Sequence, residues 1–222
     1  MRGEAYLMAK LGCVLLVSFY ILTLALVACE SQEQKIHQLI TQLGSQDAPV
    51  RAQATKALGQ IGEPAVEALI AALRHENPSL RASVVWKLSE IGRPINRIVP
   101  ALIGALGDAS ENVGVVASMA LADIGKPAVR FLIEALKDEK ADIRLHVAYV
   151  LGEIGEPADT IIPALILRLG DKESNVRRVS VRALLNFGRR AVPQLREALN
   201  DDDAATRRFA QIALTQMEHR KR

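Results

Sequence analysis

Apolar residues recur at the spacing of one helix face along most of the chain. In the segment 50–61 the apolar positions are Val50, Ala54, Ala57, Leu58 and Ile61. This spacing predicts an amphipathic α-helix. Gly62 and Pro64 follow, and a second stripe of the same kind begins at Val66. Because glycine commonly ends helices and proline is favoured in their first turn, the pattern predicts two consecutive helices joined by a short turn.

The same two-helix pattern repeats along the chain. A hydrophobic residue followed by glycine recurs at spacings of 30, 33, 30 and 33 residues, at Ile61-Gly62, Ile91-Gly92, Ile124-Gly125, Ile154-Gly155 and Phe187-Gly188. The three additional residues of the long units fall within 93–98 and 156–161, between the two helices. A second-helix pattern opens the array at 36–43, and a first-helix pattern closes it at 204–217.

These repeats predict an all-α protein. Each two-helix unit buries its apolar faces only against its neighbours, so stacked units form an α-solenoid with a concave and a convex side. We predict a right-handed α-solenoid of about five full helix pairs with a half-repeat at each end. The aromatic content of 4% argues against a β-sandwich or barrel and supports this prediction.

The repeats also share the motif hydrophobe-Arg-x-x-Ala-x-x-Ala-Leu-Gly-x-Ile-Gly, which residues 50–62 match at every position. The motif resembles the HEAT-like repeats of phycobilin lyases and many bacterial proteins, over about residues 35–217. This resemblance implies an aspartate six residues before each arginine and a structural ladder of Asp–Arg pairs between adjacent repeats. The matching residues are Asp138 with Arg144, Asp171 with Arg177, and Asp201 with Arg207.

Two units depart from this motif, since His75 precedes Arg81 and Asp108 precedes Gly114. A glycine inside a helix costs about 1 kcal/mol relative to alanine. We therefore expect the third repeat, which contains Gly114, to be the least stable part of the array.

The N-terminal segment has a different pattern. An uncharged, mainly apolar run of 18 residues, 11–28, follows Lys10. The run ends in Leu26-Val27-Ala28-Cys29, which resembles the lipobox of bacterial lipoproteins. The resemblance implies cleavage before Cys29 and a lipid on its thiol, and a diacyl or triacyl anchor holds a protein at a membrane without a spanning helix. The alternatives are an uncleaved anchor helix and a true start at Met8.

The predicted organisation has four parts. They are a lipoprotein signal peptide at 1–28, a lipidated N-terminus with a short polar tether at 29–34, the solenoid at 35–217 and a basic tail at 218–222. We expect the protein to lie in the bacterial cell envelope. The lipid at Cys29 would lie in the membrane, and the repeats would face the periplasm or the exterior.

Charge and motif content narrow the classes of function. The net charge of +3 comes from the two ends, because residues 29–218 contain 23 basic and 24 acidic side chains. A neutral body argues against nucleic acid as a partner. The sequence contains no Gly-rich phosphate loop, nucleophile elbow or CxxC motif. It therefore predicts no catalytic residue, metal ligand, cofactor or small-molecule substrate.

The four histidines are the remaining candidates for metal ligands. They are His37, His75, His146 and His219, and none is three or four residues from another. Deoxyhypusine hydroxylase shares the HEAT-like fold, and that resemblance implies two irons held by repeated His-Glu pairs. Only His75-Glu76 has this form here, and a solvated turn is the alternative interpretation of it.

One column of the first helices is unexpectedly apolar. Positions equivalent to Ala52 and Lys56 point away from the buried stripe, at about 100° per residue, so polar residues are expected there. The residues in this column are Trp86, Val115, Met119, Leu145 and Tyr149, followed by Arg178 and Arg182. Exposed Trp, Met and Tyr beside Arg are typical of protein-binding hot spots, so we predict a partner-binding strip on the convex side. The alternative is that these side chains pack between adjacent helices as additional core.

The second helices offer a weaker candidate surface. The column that is predicted to line the concave side contains Glu67, Arg74, Arg130, Glu134, Lys137 and Leu167. Charged stretches alternate along it with stretches of small or uncharged residues. The two interpretations are a peptide-binding groove and an ordinary solvated face.

Taken together, the patterns predict a non-enzymatic, membrane-tethered HEAT-like scaffold that binds an unidentified protein partner. The alternatives are an enzyme or enzyme-maturation factor, of the deoxyhypusine hydroxylase or phycobilin lyase type, and a passive structural lipoprotein.

Overall fold

A computed structural model describes residues 32–219. Within this range the backbone forms twelve α-helices and no strand. The helices are α1 (32–43), α2 (Ala48–Ile61), α3 (Val66–Ala72), α4 (Pro78–Ile91), α5 (Ile95–Ala105), α6 (Glu111–Ile124), α7 (Val129–Ala135), α8 (Ala141–Ile154), α9 (Ala158–Ile166), α10 (Ser174–Phe187), α11 (Val192–Glu197) and α12 (Ala204–His219). The prediction of an all-α solenoid is confirmed.

The helix pairs of the structure are not the pairs that the repeated sequence motif indicates. Each of α3, α5, α7, α9 and α11 packs more extensively on the helix that follows it than on the helix before it. The twelve helices therefore group as six pairs, beginning with α1 and α2. The five full repeats and two half-repeats predicted from the sequence contain the same twelve helices. They differ only in the boundary between repeats, which the sequence motif places one helix later.

The core is a double row of leucines at equivalent positions of the repeats. None of these side chains is accessible to solvent, because each lies between the helices of its own repeat and those of the next. In the even-numbered helices they are Leu58, Leu88, Leu121, Leu151 and Leu184; in the odd-numbered helices they are Leu69, Leu102, Leu132, Leu165 and Leu195. Full burial of a leucine contributes about 2 kcal/mol, so this double row makes a large contribution to the stability of the array.

Two kinds of turn produce the alternating repeat length. In the short units, Gly62 or Gly125 is followed by a turn of 3₁₀-helix and then by a seven-residue α-helix. In the long units, Gly92 or Gly155 has a left-handed conformation, a cis proline follows, and α5 and α9 are longer. All of these glycines have φ values of 66–68°, which a side chain would disfavour.

The ends of the described chain differ slightly from the predicted boundaries. Residues 32–34, the last three of the predicted tether, belong to helix α1. Helix α12 continues to His219, two residues into the predicted basic tail. No helix in residues 32–219 is long and apolar enough to cross a membrane. The predicted signal peptide and the lipidation site at Cys29 lie outside the described residues.

The repeat arginine has a local role that the sequence did not predict. In each case its Nη1 atom donates to the two backbone carbonyls five and six residues earlier, at 2.6–3.0 Å. The arginines are Arg51, Arg81, Arg144, Arg177 and Arg207. Each one therefore holds the turn that precedes its own helix.

The predicted Asp–Arg ladder requires correction. Two Asp–Arg pairs join adjacent repeats in the described chain, and both are bidentate: Arg144 with Asp171 at 2.8 Å, and Arg81 with Asp108 at 2.6 and 2.7 Å. The second pair joins the two units that depart from the motif, through the motif residue that each of them retains. Of the residues predicted for the ladder, those without such a pair are Asp138, Arg177, Asp201 and Arg207.

These remaining aspartates act within their own turns. The side chains of Asp138 and Asp201 each accept a hydrogen bond from the backbone amide two residues later, at 2.8 and 2.9 Å. The guanidinium of Arg177 lies 5.2 Å from the centre of the Phe209 ring instead of meeting Asp201. The pairing arginine and aspartate are 27 residues apart, whereas Arg177 and Asp201 are 24 apart. We call each Asp–Arg pair between adjacent repeats a rung. Both rungs span a long unit, whose three additional residues account for the larger spacing.

Candidate functional site

The residues of the predicted strip are at the surface. The exposed fractions of Trp86, Val115, Met119 and Tyr149 are 43%, 45%, 54% and 37%. They are four of the five large exposed hydrophobic residues in the described chain, and the fifth is Leu167. Leu145 is half-buried. Most of the strip is therefore exposed apolar surface rather than additional core.

Helix packing brings these residues together. Trp86 lies on α4, Val115 and Met119 lie on α6, and Tyr149 lies on α8, at equivalent positions of successive repeats. These helices pack directly side by side. Because packed helices are about 8–10 Å apart, the side chains form one continuous surface rather than separate patches. We call Trp86, Val115, Met119, Leu145 and Tyr149 the apolar strip.

The Trp86 side chain is held in place by a small polar cluster. Its Nε1 atom donates to Glu90 Oε1 at 3.2 Å, one helical turn further along α4. The second oxygen of Glu90 accepts from Lys87, whose exposed fraction is only 3%. Glu90 and Lys87 were not predicted as site residues. Glu90 lies four residues after Trp86 and three after Lys87, and both spacings are typical of contacts on one face of a helix. The cluster satisfies the indole N–H while leaving the ring exposed.

The strip continues into a cationic pocket at its C-terminal end. Arg178 and Arg182 are exposed on α10, four residues apart and therefore on one face. They line a pocket of about 350 Å³ between α10 and α12. The other lining residues are Val181, Leu185, Phe209, Ile212 and Gln216. The last three were not predicted as site residues, because the contact between α10 and α12 is not visible in local sequence.

The side of the solenoid on which the strip lies requires correction. The even-numbered helices approach one another more closely than the odd-numbered helices do. At the tightest point, a Cβ atom added to Gly152 of α8 would lie 2.6 Å from the Ala183 Cβ atom of α10. Elements on the inside of a curved stack are the most closely spaced, so the strip predicted for the convex side lies on the inner, concave side. The second-helix column correspondingly lies on the outer side.

The charged residues of that second column largely contact one another or nearby groups. Glu67 pairs with Arg97 at 2.7 Å, Glu134 pairs with Lys137 at 3.0 Å, and Arg130 lies 4.4 Å from the centre of the Phe131 ring. Arg74 and Leu167 are exposed. A pocket of about 530 Å³ opens between α5 and α7, and Arg130 and Glu134 are among its lining residues. The column is therefore a surface on which several of the charged residues are already paired, with an apolar depression between α5 and α7.

The electrostatics of the inter-repeat pairs reflect their burial. The hydrogen bond from Arg81 is the main cause that holds the pKa of Asp108 below its ordinary value. For Asp171, burial by itself raises the pKa, but the hydrogen bonds from Arg144 and from the Glu173 amide together outweigh it, and the pKa is lowered. Both carboxylates therefore remain ionised, in a structural role away from the strip.

A half-buried histidine lies behind the strip between α6 and α8. His146 Nδ1 is 3.2 Å from the Ser118 hydroxyl oxygen, and its Nε2 is 3.7 Å from where a Cβ of Gly114 would be. Burial lowers the pKa of His146, against the opposing influence of Asp142 and Glu111. No group of three or more His, Cys, Asp or Glu side chains in residues 32–219 is arranged to hold a metal ion.

Comparison with known proteins identifies the family. The model of HEAT repeats matches residues 36–97, 99–161 and 162–221. Each matched segment contains four helices, or two of the six pairs. The chain belongs to the HEAT-repeat family. The family match spans the whole array, including the helices that carry the apolar strip and the arginine pair.

Relatives of this HEAT-repeat chain are diverse. An uncharacterized phycocyanin operon protein Z of Pseudanabaena tenuis is 28% identical over 166 residues, which cover 71% of this chain and 82% of that protein. Deoxyhypusine hydroxylase of Coccidioides immitis is 32% identical over 99 residues, which cover 43% of this chain and 29% of the enzyme. The match therefore spans less than a third of the length of the hydroxylase.

A solved structure shows the same fold at low identity. The N-terminal domain of MAST/Orbit is similar with a TM-score of 0.61 and 19% identity, over 82% of this chain and 96% of that domain. At this identity the likeness concerns the arrangement of helices alone.

Proposed function

We propose that this HEAT-repeat protein is a scaffold that binds a protein partner through the apolar strip and the neighbouring arginine pair. The observation that carries the proposal is the alignment of four of the five large exposed hydrophobic side chains in one strip on the inner side of the array. A contiguous apolar surface is costly to leave in water and commonly marks an interaction site. Trp, Tyr and Arg are also the residues most enriched in interface hot spots.

We further propose that the scaffold is tethered to a bacterial membrane through a lipid on Cys29, facing the periplasm or the exterior. The support is the lipobox-like sequence Leu26-Val27-Ala28-Cys29 after the apolar run. Residue 32, three residues after the cysteine, is already helical. Three residues span at most about 10 Å, so the first repeat would lie next to the bilayer and the partner would bind close to the membrane.

Site-specific photo-crosslinking in cells tests the binding surface. A photoreactive amino acid replaces Met119, which is exposed in the strip, and in a matched control it replaces Ala71, which is exposed on α3. We expect a discrete adduct from position 119 and none from position 71. If position 119 gives no adduct, or the same adducts as position 71, the scaffold proposal fails.

Labelling with a fatty-acid analogue tests the tether independently. We expect the label to be incorporated into the natural chain and not into Cys29→Ser. A natural chain that carries no label but sediments with membranes would contradict the lipid and indicate an uncleaved anchor helix.

The second candidate is an iron enzyme, favoured by the 32% identity to deoxyhypusine hydroxylase over 99 residues. Metal analysis of the purified chain decides between the two candidates. Two bound irons per chain would overturn the scaffold proposal in favour of the enzyme.

A further inference from the structure

Most arginines in the described chain have a defined internal partner. Arg81 and Arg144 pair with aspartates of the next repeat, and Arg97 and Arg190 pair with glutamates. The remaining repeat arginines hold backbone carbonyls. These arginines are explained by the stability of the solenoid.

Arg178 and Arg182 belong to the smaller group of arginines that have no such partner, and they lie beside the apolar strip. Both are exposed, and within residues 32–219 neither forms an ion pair or a hydrogen bond with another residue. Helix α10, which carries them, contains a third arginine and no acidic residue. Arg208, at the equivalent position of α12, is exposed and likewise has no carboxylate partner in the described chain. Positive charge is thus concentrated at one end of the strip without internal compensation.

The surface between these arginines is apolar. Val181 and Leu185 are buried at the base of the pocket, and Phe209 and Ile212 contribute from α12. A ligand that fills this pocket must therefore present an apolar side chain together with an anionic group. Arginine favours planar carboxylates, to which it donates two parallel hydrogen bonds.

We infer that the partner contributes an acidic amphipathic segment, with apolar side chains on Trp86, Met119 and Tyr149 and carboxylates on Arg178 and Arg182. This inference rests on the proposed scaffold function and specifies the chemistry of its partner. From α4 to α10 the surface crosses three helix spacings, or about 30 Å. That distance is the length of about nine extended residues, so a single short segment reaches both ends.

Polyanions in general are a poorer match for this surface than an acidic amphipathic segment. A nucleic-acid duplex or a lipid headgroup would satisfy the arginines but would leave the exposed Trp86, Met119 and Tyr149 side chains in water. A purely apolar segment would cover those side chains but would bury the pocket arginines without counter-charges, which is costly. An acidic amphipathic segment satisfies both ends of the surface.

A peptide display experiment tests this chemistry. Random peptides of about 12 residues, enough to span the surface, are selected against the immobilised full chain. Each selected peptide is then compared with a counterpart in which Asp and Glu are replaced by Asn and Gln. The variants are Arg178→Gln with Arg182→Gln and, as a matched control, Arg189→Gln with Arg196→Gln, two exposed arginines that are also without ion pairs.

We expect the selected peptides to combine aromatic or aliphatic residues with Asp or Glu. The amide counterparts should bind about tenfold more weakly or worse, the loss typical of a charge-assisted hydrogen bond. The Arg178 and Arg182 double variant should lose binding to the same extent, and the control variant should retain it. Equal melting temperatures of the variants establish that the loss is not caused by unfolding.

Three results would overturn the inference. They are equal binding of the acidic peptides and their amide counterparts, undiminished binding by the Arg178 and Arg182 variant, and failure to select any peptide while vesicles containing phosphatidylglycerol bind through these arginines. If the in-cell adduct at position 119 persists in any of these cases, the scaffold function stands and only the partner chemistry is wrong. If that adduct is absent, the scaffold function itself fails.

Discussion

The long and the short repeats of this solenoid are stabilised differently. Where a long unit separates them, an arginine and the aspartate 27 residues later form a bidentate ion pair, as Arg81 does with Asp108 and Arg144 with Asp171. Where a short unit separates them, Arg177 and Asp201 are both present but stay apart. The same two residue types therefore give a rung in one setting and only local turn contacts in the other.

The difference shows that the repeat arginine has two separate structural roles. In all five cases the arginine holds the carbonyls of its own turn, which requires only local geometry. The link to the next repeat depends in addition on how far the intervening helix displaces the following turn. Mutations at equivalent positions of long and short units should therefore have unequal effects.

The largest effect is expected for Asp171→Ala. The side chains of the Arg144–Asp171 pair are 4% and 3% exposed, so this substitution leaves a buried guanidinium without its counter-charge. We expect a loss of about 3 kcal/mol in the free energy of unfolding, measured by urea denaturation. The matched control is Asp201→Ala, which removes only a turn hydrogen bond and should cost about 1 kcal/mol. Equal losses for the two variants would contradict the proposed contrast between long and short units.

An intermediate effect is expected for Asp108→Ala. The side chains of its pair with Arg81 are each 12% exposed, so solvent compensates part of the lost interaction. We expect a loss of about 2 kcal/mol in the same measurement. Because this pair lies more than one repeat away from Asp171, the two losses should add in the double variant, and strong non-additivity would show that the rungs act as one unit.

The rungs should also make the protein sensitive to acid. The pKa values of Asp108 and Asp171 are lowered in the folded protein, so both bind protons more weakly than in the unfolded chain. Their contribution is complete well above the unfolded value of about 3.9 and is lost as the pH falls through the lower folded values. In Asp108→Asn with Asp171→Asn, stability should fall less steeply between pH 5 and pH 3 (roughly the window of carboxylate titration). An unchanged slope in urea titrations would contradict this assignment.

The smallest effect is expected at Gly114 in the third repeat. Replacing it with alanine gains about 1 kcal/mol of helix propensity. The new Cβ atom would lie 3.2 Å from the Leu106 carbonyl oxygen, which is a tight contact. We therefore expect the gain and the tight contact largely to offset each other, with a net change of less than about 1 kcal/mol in the free energy of unfolding, measured by urea denaturation.

Amide hydrogen exchange of the natural protein tests whether the third repeat is the least stable. Helix α6 contains this glycine and lacks the arginine that holds the turn in other repeats. Its amides should exchange faster than those of α4 and α8. If the amides of α6 exchange no faster than those of α4 and α8, the prediction that the third repeat is the least stable part of the array is wrong.

Much of the architecture could be predicted because its determinants are local. Helix positions follow from apolar periodicity, and the repeat length follows from the recurring glycines. The places of Trp86 and Met119 on their helices left exposure and packing as additional core as alternatives, and the structure shows that both are exposed. The identity of the rungs could not be predicted in this way, because Arg81 and Asp108 lie in units that individually depart from the motif. Their contact exists only between two repeats.

The sequence by itself determined the helices, the repeat and the residues of the apolar strip, since each depends on spacing within one helix or one turn. Tertiary structure alone decided which carboxylate meets which arginine, and that the strip lies where the helices crowd together. It also decided that Phe209 and Ile212 of α12 close a pocket beside Arg178 and Arg182. These features depend on the displacement between neighbouring repeats, and that displacement is set by the packing of whole helices rather than by any local pattern.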